Sequence, residues 1–161
     1  MTKKWKLQKT INALLLLAAC AAFAACGSSE SGEPLLSGTV TGTYGDHTFT
    51  AVNGFAYDAD GSSIIGLGDG PLNCSSPDKP DPPSGMMAGI TLPNLEVGTY
   101  GQVMITIYRN VGSFEGKGTN AGSVEITASS AESVAGTVAY TDESDGTALA
   151  LNGDFEVVHC P

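Results

Sequence analysis

Basic residues are scarce in this sequence of 161 residues, which has 7 Lys and Arg against 17 Asp and Glu. The formal net charge of -10 argues against nucleic acid as a partner, because that affinity comes mostly from cations at phosphates. Charged residues are few as well, at 15 % of the chain, which is too little for an acidic disordered protein. The length suits one domain and is short for two.

Long apolar runs are confined to one place, near the amino terminus. Residues 1–10 carry four lysines and no acid, and an apolar run follows from Ile11 to Ala25. A basic start, a short apolar stretch and small residues at its end predict a secretory signal over residues 1–25. A helix of that run would rise only about 22 Å, short of a bilayer core of about 30 Å. A retained transmembrane helix is therefore the weaker alternative.

Small residues in this run end in cysteine twice, at Leu17–Cys20 (LAAC) and Phe23–Cys26 (FAAC). Both segments resemble the bacterial lipobox, in which the cysteine is diacylated and becomes the new amino terminus. Cys20 has the closer match, but cleavage there would leave apolar residues on the mature protein. Cleavage before Cys26 leaves residues 26–36 as a polar, flexible tether, so Cys26 is the predicted lipid-attachment residue. An ordinary secretory signal with a free Cys26 stays open.

The number of cysteines supports the same choice. Removal of Cys20 with the signal and acylation of Cys26 would leave two of the four cysteines, Cys74 and Cys160. An exported compartment is oxidising, so these two are predicted to form a disulfide. Paired metal ligands, with His159 beside Cys160, are the competing interpretation. One cysteine per segment is a poor zinc signature, and no metal or cofactor is predicted.

The mature chain would be more acidic than its precursor. Beyond Cys26 only Lys79, Arg109 and Lys117 are basic while all 17 acids remain, which gives a net charge of -14. Such a surface repels anionic lipid and nucleic acid, and it keeps a tethered protein soluble.

Helical periodicity is lacking after residue 36, and turn residues separate short strand-like segments. The predicted fold of residues 37–161 is all-β, an antiparallel β-sandwich or small barrel of about nine strands. The predicted strands are 37–43, 47–52, 54–57, 62–67, 86–92, 99–110, 122–129, 133–141 and 147–159. Alternation predicts buried faces formed by Val124 and Ile126, by Val134, Val138 and Tyr140, and by Leu149, Leu151, Phe155 and Val157.

The predicted strand 99–110 is apolar on both faces and is therefore expected to be central. One face holds Val103, Ile105 and Ile107, and the other holds Tyr100, Met104 and Tyr108. Tyr100 and Tyr108 are thus a candidate ligand patch.

The segment 68–85 has five prolines and neither a strand nor a helix pattern. Such a long segment needs to be tied down, and the Cys74 disulfide is expected to do this.

Residues 122–127, 134–138 and 151–157 resemble the C-terminal β-meander of small bacterial surface lipoproteins of unknown function. The resemblance covers about forty residues and implies fold and location only, with no catalytic residues. Gly27, which follows the predicted acylated cysteine, resembles sorting signals for the outer membrane of a Gram-negative cell. The expected protein is a non-enzymatic lipoprotein, anchored in the outer membrane, with a structural or binding role.

Two other functions stay open. A carbohydrate-binding or calcium-bridged module could use the tyrosine patch or the oxygen ligands of Asp58, Asp60 and Asp69, although Ser63 and Asp69 depart from an EF-hand loop. A carboxylate-based hydrolase would need two acids about 5–9 Å apart. The two histidines, His47 and His159, are not accompanied by a Gly-x-Ser-x-Gly segment, so no Ser-His-acid site is predicted.

Overall fold

The computed structural model describes residues 36–70, 72, 74, 85–110, 114–143 and 146–161, and this part of the chain is all-β, as predicted. The predicted signal and tether, with Cys20 and Cys26, lie outside the described residues, apart from Leu36. The nine strands are β1 (Leu36–Tyr44), β2 (His47–Thr50), β3 (Asn53–Ala59), β4 (Ser62–Gly68), β5 (Met86–Leu92), β6 (Gly98–Asn110), β7 (Phe114–Ser129), β8 (Ser133–Asp142) and β9 (Leu149–His159).

Strands β3 to β9 form a closed barrel of seven strands, and β1 and β2 extend the sheet from β9. Strands that follow one another from β3 to β9 pair antiparallel. β1 pairs with β9 from Leu36 opposite Val157 to Tyr44 opposite Leu149. Of the two predicted architectures, the small barrel is therefore the one that forms.

The barrel closes where β3 runs parallel to the end of β9, and we call this junction the seam. Phe55 pairs with Val158 and Ala56 with His159, and the N–H of Cys160 donates to the Ala56 carbonyl at 2.7 Å. Among the described strands this is the one parallel pairing in an otherwise antiparallel sheet. It arises because the barrel has an odd number of strands: seven strands that alternate in direction leave the first, β3, and the last, β9, running the same way where they meet.

Apolar side chains from the barrel strands fill the interior, and Val40 of β1 and Phe49 of β2 belong to the same buried cluster. A barrel of this size is narrow enough for side chains to fill, so the interior is a packed core. The inward faces predicted from alternation are confirmed, since all the following residues are buried: Val103, Ile105, Ile107, Val124, Ile126, Val134, Val138, Tyr140, Leu149, Leu151, Phe155 and Val157.

The added strand β1 lies close along β9 because glycine stands at their point of closest approach. Gly153 has φ +141°, and a Cβ atom there would lie 1.9 Å from the carbonyl oxygen of Thr39. Only glycine combines that backbone conformation with so short a distance. At the last residue of β1, the guanidinium of Arg109 lies over the ring of Tyr44, 5.6 Å from its centroid. β1 thus contacts the barrel both at its middle and at its last residue.

A β-bulge in β6 changes which way its first residues face. Gln102 is an extra residue between the paired residues Gly101 and Val103, and its φ is +58°. Tyr100 therefore packs against the core on the same side as Val103, whereas Tyr108 points outward beyond the bulge. The prediction that Tyr100 and Tyr108 share one face is wrong for this reason.

Candidate functional site

Cys160, the residue after β9, forms a disulfide at the seam. The Sγ atoms of Cys74 and Cys160 lie 1.96 Å apart, and their Cα atoms are 5.4 Å apart, within the usual range for a disulfide. The predicted pairing is therefore confirmed. The bridge connects the end of the chain to the segment that follows β4, 86 residues earlier.

A small apolar cluster covers the outer face of the seam beside this disulfide. Phe55, Leu72 and Cys160 are buried in it, and Tyr57 and Val158 pack against them. The rings of Phe55 and Tyr57 are 5.7 Å apart. The disulfide thus holds part of the segment 68–85 against β3, as expected; residues 71, 73 and 75–84 of that segment lie outside the described residues.

Four polar groups meet at the seam next to the disulfide, and we call them the seam polar cluster: the side chains of Asp58, Ser63 and His159, and the carbonyl of Ser130. The Ser63 hydroxyl donates to Asp58 Oδ1 at 2.6 Å. Asp58 Oδ2 lies 3.7 Å from His159 Nε2. His159 Nδ1 lies 2.7 Å from the Ser130 carbonyl oxygen. Because a carbonyl can only accept, Nδ1 carries the proton in this contact.

Each member of the cluster comes from a different element. Asp58 is the second-last residue of β3, Ser63 is the second residue of β4, His159 ends β9, and Ser130 lies in the turn between β7 and β8. The turn is ordered by Ser130 Oγ, which accepts from the N–H of Glu132 at 3.2 Å and from the next residue. The Glu132 carbonyl in turn accepts from the His159 N–H at 2.9 Å. His159 is therefore positioned through both its backbone and its ring.

The order of these contacts differs from that of a Ser-His-acid site. In such a site the histidine lies between the serine and the carboxylate and takes the serine proton. Here Asp58 lies between Ser63 and His159, and the Ser63 residue is only 2 % exposed. The arrangement therefore orients the carboxylate of Asp58 and does not activate the hydroxyl of Ser63 as a nucleophile.

The three acids considered for calcium do not come together. Asp58 and Asp60 are at the turn between β3 and β4, whereas Asp69 follows the other end of β4, about 20 Å away along the strand. Asp69 Oδ1 accepts from the N–H of Met86 at 2.7 Å. Among the residues that the structure describes, no group of three or more His, Cys, Asp or Glu is placed to hold a metal ion.

Tyr100 and Tyr108 are separated as well, so the predicted ligand patch does not form. The Tyr100 hydroxyl contacts Asn94 Oδ1 and the Glu96 carbonyl, in the loop between β5 and β6. The Tyr108 ring instead lies over Gly116, where an added Cβ would come within 2.5 Å of a ring atom. These two tyrosines are used in packing and loop contacts on opposite sides of the sheet.

Within the described ranges, no helix has the length and apolar character needed to cross a membrane.

The chain matches no protein-family model, and comparisons with curated proteins and with solved structures found no significant match.

The sequence contains no local signal for the seam polar cluster. In the sequence, most of the barrel strands lie between His159 and the pair Asp58 and Ser63. Ser130 precedes His159 by 29 residues. The adjacency of His159 and Cys160 was visible in the sequence, but the partners of His159 follow only from the parallel pairing at the seam.

Proposed function

We propose that this protein is a bacterial cell-envelope lipoprotein, anchored by an acylated Cys26, whose β-barrel has a non-enzymatic structural or binding role. The basic and apolar residues 1–25 and the lipobox-like segment Phe23–Cys26 support the anchor. Two acyl chains on the thiol and a further acyl group on the amino terminus would make membrane attachment stable. Gly27 after the acylated cysteine supports the outer membrane as the destination.

The observation that carries this proposal is the pairing of Cys74 with Cys160. Disulfides persist in oxidising compartments outside the cytosol, so the pairing supports export. It also occupies both cysteines of the barrel domain, which leaves Cys20 and Cys26 as the thiols available for acylation. If Cys20 leaves with the signal and Cys26 is acylated, no thiol of the mature protein stays unpaired.

The filled interior supports a role for the outer surface. Large side chains such as Ile65, Ile105 and Leu151 have no exposure and occupy the inside of the barrel. A partner or ligand would therefore contact the outer face or the loops. The calcium-bridged alternative gains no support, because Asp69 accepts a backbone hydrogen bond far from Asp58 and Asp60. The aromatic alternative gains none either, because Tyr100 and Tyr108 lie on opposite faces of the sheet.

Membrane fractionation of two cysteine variants in a bacterial host tests the anchor. We expect Cys26→Ser to leave the membrane fraction and to incorporate no labelled fatty acid, because the acceptor thiol is lost. Cys20→Ser is the matched control, since it changes the other lipobox-like cysteine, and we expect it to stay membrane-bound and labelled. Equal membrane recovery of Cys26→Ser and wild-type protein, or loss of the label in Cys20→Ser, contradicts the assignment.

Separation of inner and outer membranes tests the destination independently. We expect Gly27→Asp to move the acylated protein toward the inner membrane, with Gly27→Ala as the control that stays in the outer membrane. The same distribution for both variants would contradict the outer-membrane assignment while leaving the anchor intact.

A further inference from the structure

Two hydrogen-bond acceptors face each other in the seam polar cluster. Because Nδ1 of His159 donates to the Ser130 carbonyl, Nε2 of the neutral ring carries a lone pair. Facing it at 3.7 Å is Asp58 Oδ2, which only accepts when the carboxyl is ionised. Two acceptors at this distance need a bridging group between them: a proton on Nε2, a water molecule that donates to both, or a metal ion that both atoms ligate.

Each acceptor belongs to a side chain whose other polar atom is held by a hydrogen bond, as is usual for metal ligands. A histidine that binds a metal ion through one ring nitrogen usually donates its other N–H to a carbonyl or carboxylate, and a ligating carboxylate is usually hydrogen-bonded as well. His159 donates to Ser130, and Asp58 accepts from Ser63 through the oxygen that does not face the ring. Nε2 and Oδ2 are the two atoms left to share an ion.

The distance and the donor types suit a transition metal. Two ligands at about 2.1 Å from a tetrahedral Zn²⁺ lie about 3.4 Å apart, so 3.7 Å needs only a small adjustment. Imidazole suits Zn²⁺ and Cu²⁺, whereas Ca²⁺ prefers oxygen ligands alone. The side chain of Asp58 is 69 % exposed and that of His159 is 19 % exposed, which leaves room for water on one side of a rigid histidine.

We propose that the seam polar cluster is a divalent transition-metal site, of the Zn²⁺ or Cu²⁺ class, with His159 Nε2 and Asp58 Oδ2 as protein ligands and water at the remaining positions. A bound ion would join β9 to β3 across the seam, where only two residue pairs of the described strands meet. Because the ion binds the closed seam, its binding would stabilise the folded barrel.

Zn²⁺ titration of the full mature protein in detergent, followed by calorimetry and by proton NMR of the histidine rings, tests this site. The chain has two histidines, so the ring signals are readily assigned. We expect one Zn²⁺ to bind, to shift the ring signals of His159, and to persist in a hundredfold excess of Ca²⁺. Asp58→Asn and His159→Gln should each weaken Zn²⁺ binding at least tenfold.

The matched control is His47→Gln. His47 also faces an acid, with Nε2 3.2 Å from Asp46 Oδ1, but both side chains are largely exposed. Its removal should leave Zn²⁺ affinity within twofold of wild type. Equal binding by all variants would mean that the acidic surface collects Zn²⁺ without a site, and loss of binding in His47→Gln would place the ion elsewhere; either result overturns the proposal.

Circular dichroism of each variant shows whether a loss of binding comes from unfolding. Should His159→Gln fail to fold, Asp58→Asn decides the question, because this substitution keeps the size and shape of a side chain that is 69 % exposed. A folded Asp58→Asn variant with wild-type Zn²⁺ affinity also overturns the proposal.

Discussion

Replacement of both Cys74 and Cys160 by alanine should lower the free energy of unfolding by about 4–5 kcal/mol. The disulfide joins residues 86 apart, and closing a loop of that length removes about 15 cal/mol/K of entropy from the unfolded chain, or ~4.6 kcal/mol at 25 °C. The seam should open before the rest of the barrel, since Leu72 would no longer be held against the outer face of Phe55.

Urea unfolding followed by circular dichroism measures this effect. With a slope of about 2 kcal/mol per molar, the midpoint should fall by roughly 2 M. A reducing agent should produce a similar fall in wild-type protein and no change in the double variant. A midpoint that moves by less than about 0.5 M with an unchanged slope would refute the argument that this bridge holds the seam.

Three further outcomes are expected. Gly153→Ala should unfold the barrel or lower the free energy of unfolding by more than about 3 kcal/mol, because φ is +141° there and the backbone of Thr39 lies where the Cβ atom would be. Gly61→Ala is the control: its φ is also positive but the space around it is open, so the free energy of unfolding should fall by only about 1 kcal/mol. Ile105→Ala, at a position with no exposure, should cost about 2–5 kcal/mol in urea unfolding, and a smaller loss would contradict close packing of the interior. Burial raises the pKa of Tyr140 above its ordinary value of 10.0, so the unfolded chain loses this proton first and the free energy of unfolding falls as pH rises above about 10; Tyr140→Phe should weaken that fall, as measured by urea unfolding across this pH range.

Strand positions and buried faces could be predicted from the sequence because they depend on local periodicity. Side chains alternate sides along a strand, so the pattern of β8 and β9 identifies Val138 and Leu151 as inward residues before any partner is known. The predicted bounds of β5 are those observed, 86–92. β7 begins eight residues before the prediction, at Phe114, since its first half is rich in glycine and polar residues and has no apolar alternation.

The amino-acid sequence by itself determined the all-β class and the inward faces, and it predicted the pairing of Cys74 with Cys160 from the number of cysteines and the signal-like residues 1–25. Only the tertiary structure decided the parallel seam, the bulge at Gln102 and the meeting of Asp58 with His159. Periodicity and residue type act over a few neighbouring residues. Barrel closure instead depends on how many strands pair and how far each is staggered, and that joint property of the whole sheet brings residues 101 positions apart within 3.7 Å.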